Sequence, residues 1–198
     1  MIKLPKELIV TGIPYKIVPP DGDYDQGCLT SKQLIYITES AAIPRKRQYL
    51  FWEVAMLLME AAGIPEPVYR RYYKQAGSVL NRFIVDNNLE WVKTNDKPPG
   101  TIWINGLPYI VKTGMDDILV PQNLGGQVHY NDLIIYLIDD MEPEITTYVA
   151  LHECTHAWLF ESLAGNLDSK ETIIEALAWQ LYYFIRDNDL SILKSEGD

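Results

Sequence analysis

Two histidines four residues apart bracket a glutamate in the run His152-Glu153-Cys154-Thr155-His156. On an α-helix that spacing puts both imidazoles on one face, where they can share one metal ion at about 2.0–2.1 Å from each nitrogen. Glu153, adjacent to the first imidazole, is placed to take a proton from water at that metal. The chemistry such a group serves is hydrolysis with Zn2+ as cofactor, and the simpler alternative is a pair of ordinary histidines on a helix face.

A hydrolytic zinc keeps three protein ligands and one open position. His129 is the only other histidine in the chain, and it sits in the strand-like stretch Gly125-Gly126-Gln127-Val128-His129-Tyr130, where an exposed strand side chain is its expected role. Glu175 is the preferred third ligand, because an antiparallel helical return of about 20 residues brings its carboxylate back over the histidines. The small and apolar Ala176, Leu177 and Ala178 beside it suit close helix packing. Glu171, one turn earlier, is the rival, but its spacing from Asp168 resembles a capping box that would occupy it otherwise. Tyr148, one turn before His152, and Tyr182 or Tyr183 are candidate donors to an oxyanion, with core packing as their alternative role.

The elements that must position these groups follow from the local pattern. Glu142-Pro143-Glu144 starts a helix that runs to about Leu163, with proline in the first turn and acids at the positive end of the dipole. Gly165-Asn166 stops it, and a last helix is expected from Asp168 to about Arg186. Upstream, segments rich in Val, Ile and Tyr and broken by Gly, Pro and Asp read as strands.

The whole arrangement occurs twice. Thr11-Gly12-Ile13-Pro14-Tyr15 returns as Asn105-Gly106-Leu107-Pro108-Tyr109, Leu34-Ile35-Tyr36-Ile37 as Ile134-Ile135-Tyr136-Leu137, and Phe83-Ile84 with Asp86-Asn87 as Phe184-Ile185 with Asp187-Asn188. Internal repetition at a fixed shift defines the fold before any finer reading. The expected class is α+β, with two tandem modules, 1–94 and 95–198, each a small hairpin-built sheet followed by two helices. They meet at the polar segment Lys93 to Gly100. In the first copy the metal motif falls on Trp52-Glu53-Val54-Ala55-Met56 and Glu175 falls on Lys74, so the first module reads as a degenerate pseudo-enzyme. Its retained apolar residues suggest packing against its twin as an intramolecular pseudo-dimer, with Trp52 and Met56 filling a dry, closed first site.

At this point the second copy resembles the small zinc metallopeptidase-like proteins of phages and mobile elements, which are gluzincin-type and broadly similar to the ImmA/IrrE metallopeptidases. The resemblance lies in His152-Glu153-x-x-His156-Ala157, Glu161-Ser162-Leu163 and Glu175-Ala176-Leu177-Ala178. It extends to Ile104-Asn105-Gly106-Leu107-Pro108-Tyr109 and Gly126-Gln127-Val128-His129-Tyr130, with His129 where such proteins usually carry an Asp. It implies a zincin-like fold, His152, His156 and Glu175 as zinc ligands, Glu153 as general base, and hydrolysis of a protein or peptide substrate.

Composition fits this class. The chain has 198 residues, 47% apolar and 22% charged, as packed soluble domains do. Its longest apolar run, Leu133 to Ile138, is far below the roughly 18 residues of a membrane helix, and the opening Met1-Ile2-Lys3-Leu4-Pro5-Lys6 has no signal-peptide core. With only Cys28 and Cys154 available for pairing, a cytoplasmic setting is expected, the host cytoplasm for a phage-encoded chain. The net charge of -10 opposes nucleic-acid binding by the whole chain. Lys and Arg against Asp and Glu number 12 to 10 in residues 1–94 and 5 to 17 in 95–198. The basic cluster Arg45, Lys46, Arg47, Arg70 and Arg71 reads as a docking face for an acidic partner or nucleic acid, or more simply as an electrostatic fit between the copies or a solvated face. The rival from another class is a zinc-stabilised binding protein that sequesters a partner and does not need Glu153.

Overall fold

Thr11 and Gly12 both adopt left-handed backbone, at φ 56° and 75°, and so close a two-residue hairpin whose twist matches its strands. Asn105 and Gly106 repeat the turn at φ 54° and 77°. A computed structural model describes residues 4–22, 24–119 and 124–194, apart from the side chains of residues 117, 118 and 168. Met1, Ile2 and Lys3 of the opening segment lie outside the described residues.

In the first module the hairpin strands β1 (Glu7–Val10) and β2 (Ile13–Val18) are followed by β3 (Gln26–Leu29) and β4 (Leu34–Ile37). The sheet order is β1-β2-β4-β3, with β2 and β4 parallel and the other pairs antiparallel. Helices α1 (Ile43–Ala61), α2 (Glu66–Asp86) and the short α3 (Glu90–Thr94) complete it. The second module repeats the order with β5 (Thr101–Ile104), β6 (Leu107–Lys112), the added turn α4 (Asp116–Leu119), β7 (Gly126–His129) and β8 (Ile134–Leu137). Its sheet runs β5-β6-β8-β7, so β7, like β3, is an edge strand. Then come α5 (Pro143–Glu161), the single turn α6 (Gly165–Asp168) and α7 (Glu171–Asp187). The chain is thus α+β in two modules.

The helix limits differ from expectation around the loop. Leu163 turns left-handed at φ 58° and ends α5, and the Gly165-Asn166 segment read as a stop begins α6 instead. The last helix therefore starts at Glu171 rather than Asp168. No helix among the described residues is long and apolar enough to cross a membrane.

One continuous cluster of buried apolar side chains draws on both modules, including Phe51, Leu58 and Leu80 from the first and Tyr109, Leu151 and Phe184 from the second. Polar contacts across the halves are reciprocal. Asn87, just past α2, donates to the Trp103 carbonyl at 2.7 Å and accepts from the Trp103 amide at 2.8 Å, both on β5. Asn188, just past α7, makes the same pair with Ile9 of β1 at 2.7 and 2.8 Å. Each amide also donates to its own helix, at Phe83 and Phe184 respectively. A single side chain thereby satisfies the donor and the acceptor of an outer strand of the opposite sheet. Trp158 on α5 adds a bond to the Ala76 carbonyl of α2 at 2.8 Å.

Candidate metal centre

Helix α5 is buried on most of its surface, from Thr147 through Ala150, Leu151, Cys154, Thr155 and Trp158 to Leu159, so its orientation is fixed by packing on several sides. That fixation holds His152 and His156 on the one side that faces a cavity. Their Nε2 atoms lie 3.2 Å apart, and each side chain is only 15% exposed. Burial first, and the neighbouring His156 second, hold the His152 imidazole below its ordinary value against the opposing pull of Glu171 and Glu175. A neutral imidazole is the ligand form.

The carboxylate that meets both imidazoles belongs to Glu171. Its Oε1 is 2.7 Å from His152 Nε2 and its Oε2 3.5 Å from His156 Nε2. Among the described residues His152, His156 and Glu171 form the group able to hold a metal, with ligand atoms within 4.8 Å of one another. Ligands about 2.0–2.1 Å from a tetrahedral zinc stand roughly 3.3 Å apart, so the spacing and the two-imidazole, one-carboxylate donor set fit that ion. Glu175, preferred from the sequence, is one turn further along α7 and lines the same cavity without joining the group. The reason is local. The expected capping box is not formed, because Lys170 is the residue before the helix and no side chain caps it, which leaves Glu171 at the first helical position with its carboxylate toward α5.

The cavity has a volume of about 500 Å³. One wall is α7 with Glu171 and Glu175, and the other is β7 and its approach, with Leu124, Gly125, Gly126 and Val128. Glu153 is 5% exposed and sits against Gly126. A Cβ at Gly126 would fall 2.9 Å from Glu153 Cγ and 3.0 Å from Oε1, so only glycine lets the strand come this close. Sequence reasoning placed this strand but missed the role of Gly126; a Gly-Gly pair opening a strand pattern is the signal that marked it.

The four further candidates separate. Tyr148 lines the cavity, its ring stacks on Trp179 at 4.1 Å, and its hydroxyl is buried with no hydrogen-bond partner among the described residues. Burial, with Glu175 and Glu171 adding to it, pushes that phenol up to about 12, so it keeps its proton at neutral pH. Tyr182 is engaged elsewhere: its hydroxyl meets Asn95 and Glu144 at 3.1 Å each and accepts from Arg186. His129 does not line the cavity; it pairs with Gln127 at 3.2 Å and packs on Tyr136 with ring centroids 4.9 Å apart. Tyr183 stacks on Trp179 and is 49% exposed.

The corresponding place in the first module holds no metal-binding group among the described residues. Lys74 Nζ lies over the Trp52 ring at 5.1 Å, and Trp52 Nε1 donates to Ser78 at 3.0 Å. Arg70, at the position equivalent to Glu171 under the shift that pairs Lys74 with Glu175, is bound to Glu66 at 2.7 Å. The first site is not closed as expected. Trp52 is turned toward α2, and a cavity of about 350 Å³ remains, lined by Gln26, Cys28, Glu53, Met56, Arg70 and Tyr73 among others. The basic cluster is largely self-engaged: Arg45 lies over Tyr49, Arg71 over Tyr72, and Arg47 donates to the Leu193 carbonyl of the other module at 2.7 Å.

No protein-family model, no curated protein and no solved structure matches the chain.

Proposed function

We propose that the chain is a zinc-dependent hydrolase of the zincin type, and more particularly a metalloendopeptidase whose second module carries the reaction. The observation that supports this reading most is the convergence of two half-buried imidazoles and the exposed Glu171 carboxylate on a cavity that the buried Glu153 also lines. His152, His156 and Glu171 would hold the zinc. When bound there, zinc acidifies water and polarises a carbonyl oxygen. Glu153 accepts the proton of the attacking water and returns it to the leaving amine, the general acid and base role of a carboxylate next to the nucleophile. The edge strand β7 borders the cavity and suits a substrate in extended form, since an edge strand offers unpaired backbone groups. Tyr148 on α5, a protonated phenol that lines the same cavity, is the candidate donor for negative charge developing on the carbonyl oxygen.

Metal analysis together with a proteolysis assay tests this. The purified chain should carry about one zinc, Glu171→Ala should lose it, and Glu153→Gln should keep zinc and fold while peptide hydrolysis falls a hundredfold or more. A biological effect that survives undiminished in Glu153→Gln favours the sequestering, zinc-stabilised binder instead.

A further inference from the structure

The cavity walls carry three carboxylates, Glu153, Glu171 and Glu175, and no lysine or arginine among the described residues. Two of these are engaged: Glu171 by the imidazoles, and Glu153 beneath Gly126, deep enough to be 5% exposed. Glu175 is different. It is exposed on the α7 wall, no lysine or arginine pairs with it among the described residues, and its charge is felt by both His152 and Tyr148. A zinc ion brings two positive charges against the Glu171 and Glu153 carboxylates, which leaves the Glu175 charge uncompensated in a module with 5 basic and 17 acidic residues. Across the cavity from α7 stand the apolar side chains of Leu124, Val128 and Val149, with Gln127 and Tyr130 also in the lining. A cleft that sets apolar side chains opposite an unpaired carboxylate accommodates an alkyl stem that ends in a cation.

Resting on the hydrolytic reading above, we propose that Glu175 is a specificity residue that selects peptides presenting an ammonium or guanidinium group beside the bond held at the zinc. Two sources supply that chemistry, a lysine or arginine side chain and a free peptide N-terminus. Glu175 acts on binding and leaves the metal to the other three side chains.

The test uses the full chain loaded with zinc and carrying Glu153→Gln, so that binding is read without turnover. Calorimetry compares three short peptides of Ala, Gly and Ser: one N-acetylated with a single central lysine, one N-acetylated with norleucine in its place, and the norleucine peptide with a free N-terminus. The lysine peptide should bind at least about fivefold tighter than its acetylated norleucine twin, and Glu175→Gln should erase the difference without loss of zinc. Tight binding of only the free-amine peptide assigns the cation to the N-terminus, and in that case too Glu175→Gln must abolish the gain. Equal affinity of all three peptides, no binding of any, or loss of zinc in Glu175→Gln overturns the proposal. Failure of the hydrolytic reading is separate and shows as the absence of cleavage of a mixed peptide library by the parent chain.

Discussion

Glu53 keeps in the first module the position that Glu153 holds in the second, although the flanking imidazoles have become Trp52 and Met56. Burial, only partly offset by Lys74, Arg70 and a hydrogen bond with Gln26, pushes its carboxyl up to about 7 from the ordinary 4.5. A carboxyl raised in this way holds its proton longer in the folded chain than in the unfolded one. Its favourable contribution is complete below about pH 4.5 and is lost as pH rises through 7. At about 1.4 kcal/mol per unit, the loss is on the order of 3 kcal/mol. Glu53→Gln preserves size and cannot ionise, so urea unfolding should find it more stable than the parent at pH 8 by about 1–3 kcal/mol and little changed at pH 4. Equal stability of the two at pH 8 would refute this. At the same scale, His152 and His156 were legible because a four-residue spacing needs only a helix to become a shared face. That Glu171, and not Glu175, lies against both imidazoles was not legible in that way. It depends on the residue at which α7 begins, and the α6 turn, set by packing of Leu167 into the core rather than by local caps, moved that start by three residues from Asp168 to Glu171.

Among the elements, β7 lies close on α5 in the site, where a Cβ at Gly126 would fall 2.9 Å from both Glu153 Cγ and Val149 Cγ1. Gly126→Ala forces either the strand outward or Glu153 off its position, an overpacking cost of about 1–3 kcal/mol. Zinc content should persist in this variant, since its three proposed ligands lie on α5 and α7, while peptide hydrolysis falls at least tenfold. Equal activity in the variant would show that Glu153 does not depend on the strand. Gly77 does a comparable service in the first module, where a Cβ would stand 2.5 Å from the Phe51 carbonyl oxygen, so α1 and α2 could not keep their present separation at that point. Strand pattern, hairpin turns and the two long helices of each module were readable from alternation and turn residues. The parallel pairing of β2 with β4, and of β6 with β8, was not, because local pattern does not say that the intervening strand takes the outer edge of the sheet.

For the whole molecule the telling contacts are the two asparagine clamps. The Asp86-Asn87 and Asp187-Asn188 repeats were visible in the sequence as similarity, yet their task is intermodular and has no local signature. Asn87→Ala or Asn188→Ala strands a backbone donor and acceptor at the opposite strand, at roughly 1–3 kcal/mol for each buried group left unmet. Thermal unfolding should show each variant melting lower than the parent in a single transition, because the halves share one core. Two separate transitions in either variant would mean that the modules stand independently. Expression of residues 95–198 alone should give an aggregating or partly folded product, as β5 would lose Asn87 and α5 the Ala76 carbonyl.

The clamp on Ile9 also sets a schedule. Asn188 lies 179 residues downstream of the strand it secures, so during synthesis at about 5–20 residues per second the first strand waits on the order of 10–40 s for its partner to be made. Through that interval the first sheet has its internal pairings but not the side chain that holds its outer edge to the second module. The cavity that His152 and His156 share with Glu171 closes only after α7 has been completed, so a nascent chain that has reached α5 but not α7 holds the two imidazoles without the carboxylate that meets them.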